Sequence, residues 1–185
     1  MRLLPCLLVL ITGVALGAAA ASARQDDPRL KELFAELATA TSSLEVKVVE
    51  ARIWDIWTHN GDPRIDALMA RGADALSVDD TETALAAYSE VIRRDDTFAE
   101  GFNKRATVEY LRGELSASVA DIERTLTLEP RHFGALAGLG EIYLKLNKKQ
   151  AALKAFEAAL KINPHLKNVQ AHVKELKEEL EGSPT

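Results

Sequence analysis

The sequence predicts an all-α protein built of stacked helical hairpins, and three observations support this. Shifted against itself by 34 residues, the chain aligns three blocks without a gap: 65–98, 99–132 and 133–166. Apolar residues recur at spacings of three and four, which gives each predicted helix one buried stripe. Aromatic residues make up only 5% of the chain, whereas Ala, Leu, Glu and Lys, which favour helices, are abundant. A repeat of this length is typical of a solenoid.

Each block has small residues at two shared positions. They are Gly72, Ala106 and Gly140 on the first predicted helix, and Ala84, Ser118 and Ala152 on the second. Small side chains let the two helices of a hairpin approach closely. The larger residues Tyr88, Ile122 and Phe156 coincide in the alignment, and we expect them to fill the space beside the small ones.

The turns also repeat. The aligned residues between the two helices of each block are Asp79, Gly113 and Asn147. These residue types tolerate the left-handed backbone that ends a helix. Pro130 and Pro164 stop the second helix of their blocks. Asp62 predicts an N-cap for the first block, and Thr97 followed by Glu100 predicts a capping box for the second.

This pattern resembles the tetratricopeptide repeat (TPR) family, whose unit is a helix-turn-helix with small residues at fixed positions. The third block carries the resemblance most fully, through Leu136, Leu139, Gly140, Tyr143, Ala152, Phe156, Ala159 and Pro164. The first two blocks depart from the family pattern, since Arg71 and Arg105 replace an apolar residue and Glu109 replaces an aromatic one. The resemblance implies a right-handed α-solenoid that binds other proteins without catalysis.

Helical patterns flank the three blocks. Residues 28–60 are interpreted as a degenerate N-terminal helix pair, and residues 167–185 as a C-terminal capping helix and tail, since a solenoid needs a polar-backed helix over its last repeat. Trp54 and Trp57 are expected to pack against the first repeat. As alternatives, the tryptophans serve as an anchor for a partner, and the C-terminal helix forms a coiled coil.

The N-terminal segment has the features of a secretory signal. Arg2 precedes an apolar run that ends in Ala21-Ser22-Ala23, a small-x-small pattern that signal peptidase accepts. We therefore expect residues 1–23 to be a cleaved signal peptide and the mature chain to be exported to the periplasm, without a membrane segment. A retained membrane anchor is the alternative. The only cysteine, Cys6, lies in this segment, so disulfides do not stabilise the mature chain.

Several function classes receive no support. The net charge is −5 and basic residues are scattered, which argues against nucleic acid as a partner. The four histidines have no neighbouring residues at metal-ligand spacing. The sequence therefore predicts no catalytic residue, no metal and no cofactor.

The TPR resemblance places the binding groove on the first helix of each block. The groove residues it implies are Met69, Ala73, Asn103, Lys104, Thr107, Tyr110, Ala137, Glu141 and Lys145. Co-chaperone members of the family grip a terminal carboxylate with several cations, but only Lys104 could serve at the matching places here. The leading hypothesis is a scaffold that binds a polypeptide in this groove. The alternative is a structural protein that self-associates, forming a homo-oligomer through its C-terminal helix or through Trp54 and Trp57.

Overall fold

The computed structural model describes residues 24–182, and within that range every regular element is an α-helix. The helices are α1 (Arg29–Thr39), α2 (Ser43–Thr58), α3 (Pro63–Ser77), α4 (Thr81–Arg94), α5 (Ala99–Arg112), α6 (Leu115–Leu128), α7 (Phe133–Lys145), α8 (Lys149–Ile162) and α9 (Lys167–Gly182). The all-α prediction is confirmed. The predicted signal peptide, residues 1–23, lies outside the described residues. None of the described helices is long and apolar enough to cross a membrane.

Helices α3 to α8 form three antiparallel hairpins: α3 with α4, α5 with α6, and α7 with α8. Consecutive hairpins stack through α4 on α5 and through α6 on α7, and α9 packs on α8 at the end of the row. Each hairpin thus leans mainly on its neighbours in sequence, as in a helical repeat solenoid. We call these three hairpins the first, second and third repeat.

Within each hairpin, a small residue lies against a large side chain. A Cβ atom added to Gly72 would lie 2.5 Å from the ring of Tyr88, and one added to Gly140 would collide with the ring of Phe156. Both rings are fully buried, so they have little room to move aside. The second repeat uses a hydrogen bond instead, because the Ser118 hydroxyl donates to the Ala106 carbonyl oxygen at 2.7 Å.

The predicted turn geometry is confirmed. Asp79, Gly113 and Asn147 all have positive φ, at 59°, 78° and 55°. The Asp62 side chain accepts a hydrogen bond from the Arg64 amide at the start of α3, as an N-cap does.

The predicted capping box at Thr97 is wrong. Helix α5 begins after Phe98 and has no side-chain cap. The Thr97 hydroxyl donates instead to Asp95 at 2.6 Å. Glu100 is turned inward, where its carboxylate binds His132 at 2.8 Å, and a carboxylate engaged there cannot reach back to the helix start.

The α1–α2 hairpin lies along the turns between repeats instead of stacking in front of the first one. Its core of buried apolar residues includes Phe133 at the start of α7, and Ile162 and Leu166 pack against that core. The exposed side of α3 carries Arg71 and Asp74, which offer no apolar surface to a preceding helix pair. Arg71 therefore departs from the family pattern because α3 is the outermost helix of the solenoid.

Trp54 and Trp57 consequently pack against the third repeat, and the expectation that they pack against the first was wrong. The Trp57 ring stacks on His132 with a centroid distance of 4.2 Å, and the Trp54 ring meets Phe133 edge-on at 5.5 Å. The two rings also contact one another at 5.3 Å. His132 and Phe133 attract these rings because they provide an apolar, aromatic surface that the polar side of α3 lacks.

Helix α9 covers the last repeat. Val169 and Leu176 are buried in a cluster with Ala152, Phe156 and Ala159 of α8. The apolar stripe of α9 is therefore used within the chain.

Gly138 and Gly140, two of the three glycines of α7, give a matched test of the packing within a hairpin. We expect Gly140→Ala to lower the free energy of unfolding by about 1–3 kcal/mol, because the new methyl group overpacks the buried Phe156 ring. A Cβ at Gly138 would meet only ordinary contact with Ile122, at 3.7 Å. Gly138→Ala should therefore be neutral or stabilise by up to about 1 kcal/mol. Urea denaturation followed by circular dichroism measures both, and equal effects would contradict this packing.

Candidate functional site

The first helices of the three repeats, α3, α5 and α7, carry two neighbouring pockets, which together we call the groove. The pocket between α3 and α5 has a volume of about 270 Å³. It contains the predicted residues Met69, Ala73 and Lys104. The end of α2 contributes Thr58 and His59 to its wall, so the N-terminal hairpin borders the groove. Sequence reasoning did not anticipate this contribution.

The second pocket lies between α5 and α7 and has a volume of about 150 Å³. It gathers four predicted residues, Asn103, Thr107, Tyr110 and Glu141. The remaining lining is small or aliphatic: Ala106, Ser118, Ile122, Gly134, Gly138 and Ile142. A space of this size is below that of a usual small-molecule site, and it suits a single side chain.

The last two predicted residues, Lys145 and Ala137, line neither pocket. The Lys145 ammonium is placed 4.5 Å from the centre of the Tyr110 ring, in the geometry of a cation–π contact. Ala137 packs instead against the cluster of buried residues shared by α8 and α9. The structure thus brings eight of the nine predicted residues to the groove or its rim.

Charged groups of the groove are largely paired within the chain. The Lys104 ammonium lies 3.3 Å from the buried carboxylate of Glu100. The Glu141 carboxylate lies 3.1 Å from the imidazole of His172. The Asp66 carboxylate accepts hydrogen bonds from the backbone amides of Asn60 and Gly61, at 2.7 and 3.3 Å. A ligand therefore meets little uncompensated charge at these positions.

A buried pair, Glu100 and His132, lies beneath the groove. Both side chains are almost completely inaccessible, and His132 Nε2 lies 2.8 Å from a Glu100 oxygen. The other ring nitrogen, Nδ1, accepts the Ala135 amide at 3.0 Å, so Nε2 carries the proton and donates it to Glu100. Burial would raise the pKa of the Glu100 carboxyl, but the hydrogen bond from His132 and the nearby Lys104 hold that pKa below its ordinary value.

The departures of the second repeat from the family pattern form a polar network between α5 and α6. The Arg105 guanidinium donates two hydrogen bonds to Asp121, at 2.6 and 2.8 Å. Glu109 lies 3.9 Å from Arg105, and one of its buried oxygens has no hydrogen-bond partner in the protein. Burial and the charge of Asp121 raise the pKa of Glu109 to about 7. This network explains how charged residues occupy positions that are usually apolar or aromatic.

Sequence reasoning missed a set of polar residues in the turns between repeats. Asp95, Glu129 and Asn163 are 34 residues apart and immediately precede Asp96, Pro130 and Pro164. All three bind other side chains: Asp95 binds Arg24 and Asn60, Glu129 binds Arg131, and Asn163 binds Glu50. The 34-residue spacing of these three polar residues was the sequence signal that could have identified them. Within residues 24–182, no group of His, Cys, Asp and Glu is arranged to hold a metal ion.

Comparison with known proteins agrees with this architecture. A TPR repeat-containing protein of Rhizobium etli is 34% identical over 157 residues, which cover 85% of this chain and 77% of that protein. The chain belongs to the tetratricopeptide repeat family. The family's sequence profile matches residues 134–166, within the third repeat. Superkiller complex protein 3 of Mus musculus is 33% identical over 92 residues, which cover 49% of this chain but only 6% of that protein.

Solved TPR structures share the fold at low sequence identity. The first TPR domain of Spaghetti (RPAP3), bound to an HSP90 peptide, has a TM-score of 0.61 and 16% identity, covering 64% of this chain and 94% of that one. MamA has a TM-score of 0.59 and 16% identity, covering 76% of this chain and 85% of that one. These similarities confirm a helical repeat solenoid of the TPR type.

The raised pKa of Glu109 makes the stability of the protein depend on pH. Between the ordinary pKa of 4.5 and about 7 the Glu109 carboxyl is more protonated in the folded chain than in the unfolded chain, so its contribution to the free energy of unfolding falls as the pH rises through this window. Glu109→Gln removes the buried charge. We expect it to raise the free energy of unfolding by about 2 kcal/mol at pH 8 and by much less at pH 4.

Glu123 of α6, which is exposed, gives the matched control. Glu123→Gln should change the stability little at either pH. Urea denaturation at the two pH values measures both variants. A Glu109→Gln effect that is the same at pH 4 and pH 8 would contradict the buried, partly protonated carboxyl.

Proposed function

We propose that this protein is an exported, non-catalytic scaffold that holds a segment of another polypeptide in the groove formed by α3, α5 and α7. The TPR fold is an interaction module, and solved TPR neighbours bind peptides from HSP90 and HSP70. The observation that carries the proposal for this chain is the side-chain-sized pocket between α5 and α7. Its wall contains Gly138, where an added Cβ would meet only Ile122 at 3.7 Å, so the backbone of a ligand can approach closely there.

The chemistry of the groove favours an uncharged segment with apolar side chains. The two pockets lie on either side of α5, and a helix with its side chains is about 10 Å across. The two pockets can therefore accept side chains about three residues apart on an extended peptide, which advances about 3.3 Å per residue. At the rim, the Asn103 amide donates to Glu100 and the Thr107 hydroxyl donates to the Asn103 carbonyl oxygen. The side-chain oxygens of both residues can still accept hydrogen bonds from a peptide backbone.

An acidic chaperone tail is a poor fit. At the places where co-chaperone relatives carry cations, this chain has Met69, Ala73, Gly134 and Gly138, which cannot bind a carboxylate. Lys104, the one cation there, already neutralises the buried Glu100. The likeness to chaperone-binding neighbours therefore extends to the fold and to peptide binding in general.

Self-association is less well supported as a function. The apolar stripe of α9 is buried against α8, and Trp57 is only 1% exposed. Surfaces that this alternative requires are therefore occupied within a single chain.

Photo-crosslinking tests the groove. With a photoreactive phenylalanine analogue in place of Tyr110, we expect the mature protein to crosslink a polypeptide from an envelope extract. Gly138→Leu fills the pocket between α5 and α7 and should reduce this adduct by about tenfold, the loss of one well-filled apolar contact. Ala86→Leu, on the exposed side of α4, should leave it unchanged. An adduct that survives Gly138→Leu, or none at all, would contradict the proposed site.

Export rests on residues 1–23 and has its own test. In a bacterial host, N-terminal sequencing of the protein from the periplasmic fraction should give Arg24 as the first residue. Ala23→Phe should block this processing, because signal peptidase requires a small residue there. Ala19→Phe, outside the two small positions of the cleavage pattern, is the control. Recovery of unprocessed wild-type chain in the membrane fraction would instead support the retained anchor.

A further inference from the structure

The N-terminal hairpin contacts all three turns that follow a repeat. At the first turn, Arg24 before α1 and Asn60 after α2 both donate to the same Asp95 oxygen, each at 2.7 Å. The Gln25 side chain donates to the Thr97 carbonyl oxygen at 2.5 Å. Both ends of the segment 24–60 are thus hydrogen-bonded to the turn between the first and second repeats.

At the second turn, the contacts are aromatic. The Arg131 guanidinium lies 4.6 Å from the centre of the Phe34 ring and donates to the Gln25 carbonyl oxygen at 3.4 Å. One residue further on, the His132 ring stacks on Trp57. This turn therefore contacts α1 through Arg131 and α2 through His132.

At the third turn, hydrogen bonds join the turn to both helices of the hairpin. The Asn163 amide donates to Glu50 of α2 at 2.6 Å. The His165 imidazole donates through Nε2 to the Leu37 carbonyl oxygen of α1 at 2.9 Å. Asn163 is a fully buried polar residue, so its amide depends on this partner.

The repeat-side residues of these contacts occupy equivalent positions. Asp95 and Asn163 are separated by two repeat lengths, as are Thr97 and His165, and Arg131 lies midway between the latter two. The hairpin therefore follows the repeat of the solenoid, with one set of contacts for each turn.

We propose that residues 24–60 form a strap that fixes the spacing and angle between the three repeats, and thereby presets the shape of the groove. In an ordinary solenoid each repeat contacts only its neighbours, and the curvature results from small rotations between them. A strap bound to three successive turns links the first repeat to the third. This inference concerns the shape of the solenoid and does not depend on which ligand the groove holds.

The apolar core of the strap is shared with the third repeat. Leu30, Leu33, Leu37 and Ile53 are at most 1% exposed. Phe133 of the third repeat is buried in the same cluster, and Ile162 and Leu166 pack against it. A lid that opens and closes would need a smaller apolar contact.

Paired spin labels measure the spacing directly. Ala86 on α4 and Lys154 on α8 are exposed and occupy the same repeat position two repeats apart. Cys6 is the only cysteine, so the variant Cys6→Ser, Ala86→Cys, Lys154→Cys carries spin labels at positions 86 and 154 alone. Electron–electron double resonance should show one narrow distance distribution for this parent protein.

Ile53→Asp places a charge in the dry core of the strap. We expect the distribution of label distances to broaden by about twofold or more, because neighbour contacts alone then set the curvature. Leu44→Asp introduces the same charge on the exposed side of α2, where Leu44 is 73% exposed, and should leave the distribution unchanged. Both tryptophans lie in the strap, so a red shift of their emission reports its release.

If Ile53→Asp unfolds the whole chain, Ile53→Ala decides the question by the same two readouts. A red-shifted emission with a broadened distribution supports the strap. A red-shifted emission with an unchanged distribution overturns it, since the repeats then keep their spacing alone. Emission that stays unshifted in Ile53→Ala also overturns the proposal, because the strap would not depend on the core that contains Ile53.

Discussion

The close approach of two helices at a small residue is the constraint on which this structure depends. Gly72 and Gly140 bring the helices of their hairpins so near that the rings of Tyr88 and Phe156 occupy the space of a missing side chain. A hairpin of this kind buries only part of its apolar surface, so it is stable only beside another. The row of hairpins, the pockets between their first helices and the capping helix α9 all follow from that requirement.

Polar residues add specificity to this apolar arrangement. In the second repeat, the Arg105–Asp121 pair joins α5 to α6 where the third repeat has the apolar residues Leu139 and Ala155. Under the groove, Glu100 and His132 connect α5 to the turn before α7. The His132 ring also stacks on Trp57 of the N-terminal hairpin. The groove floor, the second repeat and the hairpin are therefore physically connected, and the groove itself is left with small, mostly uncharged walls.

The sequence was sufficient for features that recur every 34 residues. Small residues and turn residues such as Asn147 repeat, so alignment of the chain with itself reveals them, whereas the groove positions came from the TPR resemblance. The position of the N-terminal hairpin could not be predicted in this way, because its contacts are unique and join residues far apart, such as Glu50 and Asn163. The capping box failed for a related reason: Glu100 matches the local motif, but a distant partner, His132, binds it more favourably in the core.

The central claim is that a partner segment lies across α5 and α7 beside the N-terminal hairpin. Nuclear magnetic resonance of the isotopically labelled mature chain, titrated with the segment recovered from its partner, tests this most directly. The largest shift changes should fall on Thr107, Tyr110 and Gly138, with small changes on the exposed sides of α4 and α8. Changes confined to the outer side of α2 or to α9 would contradict it.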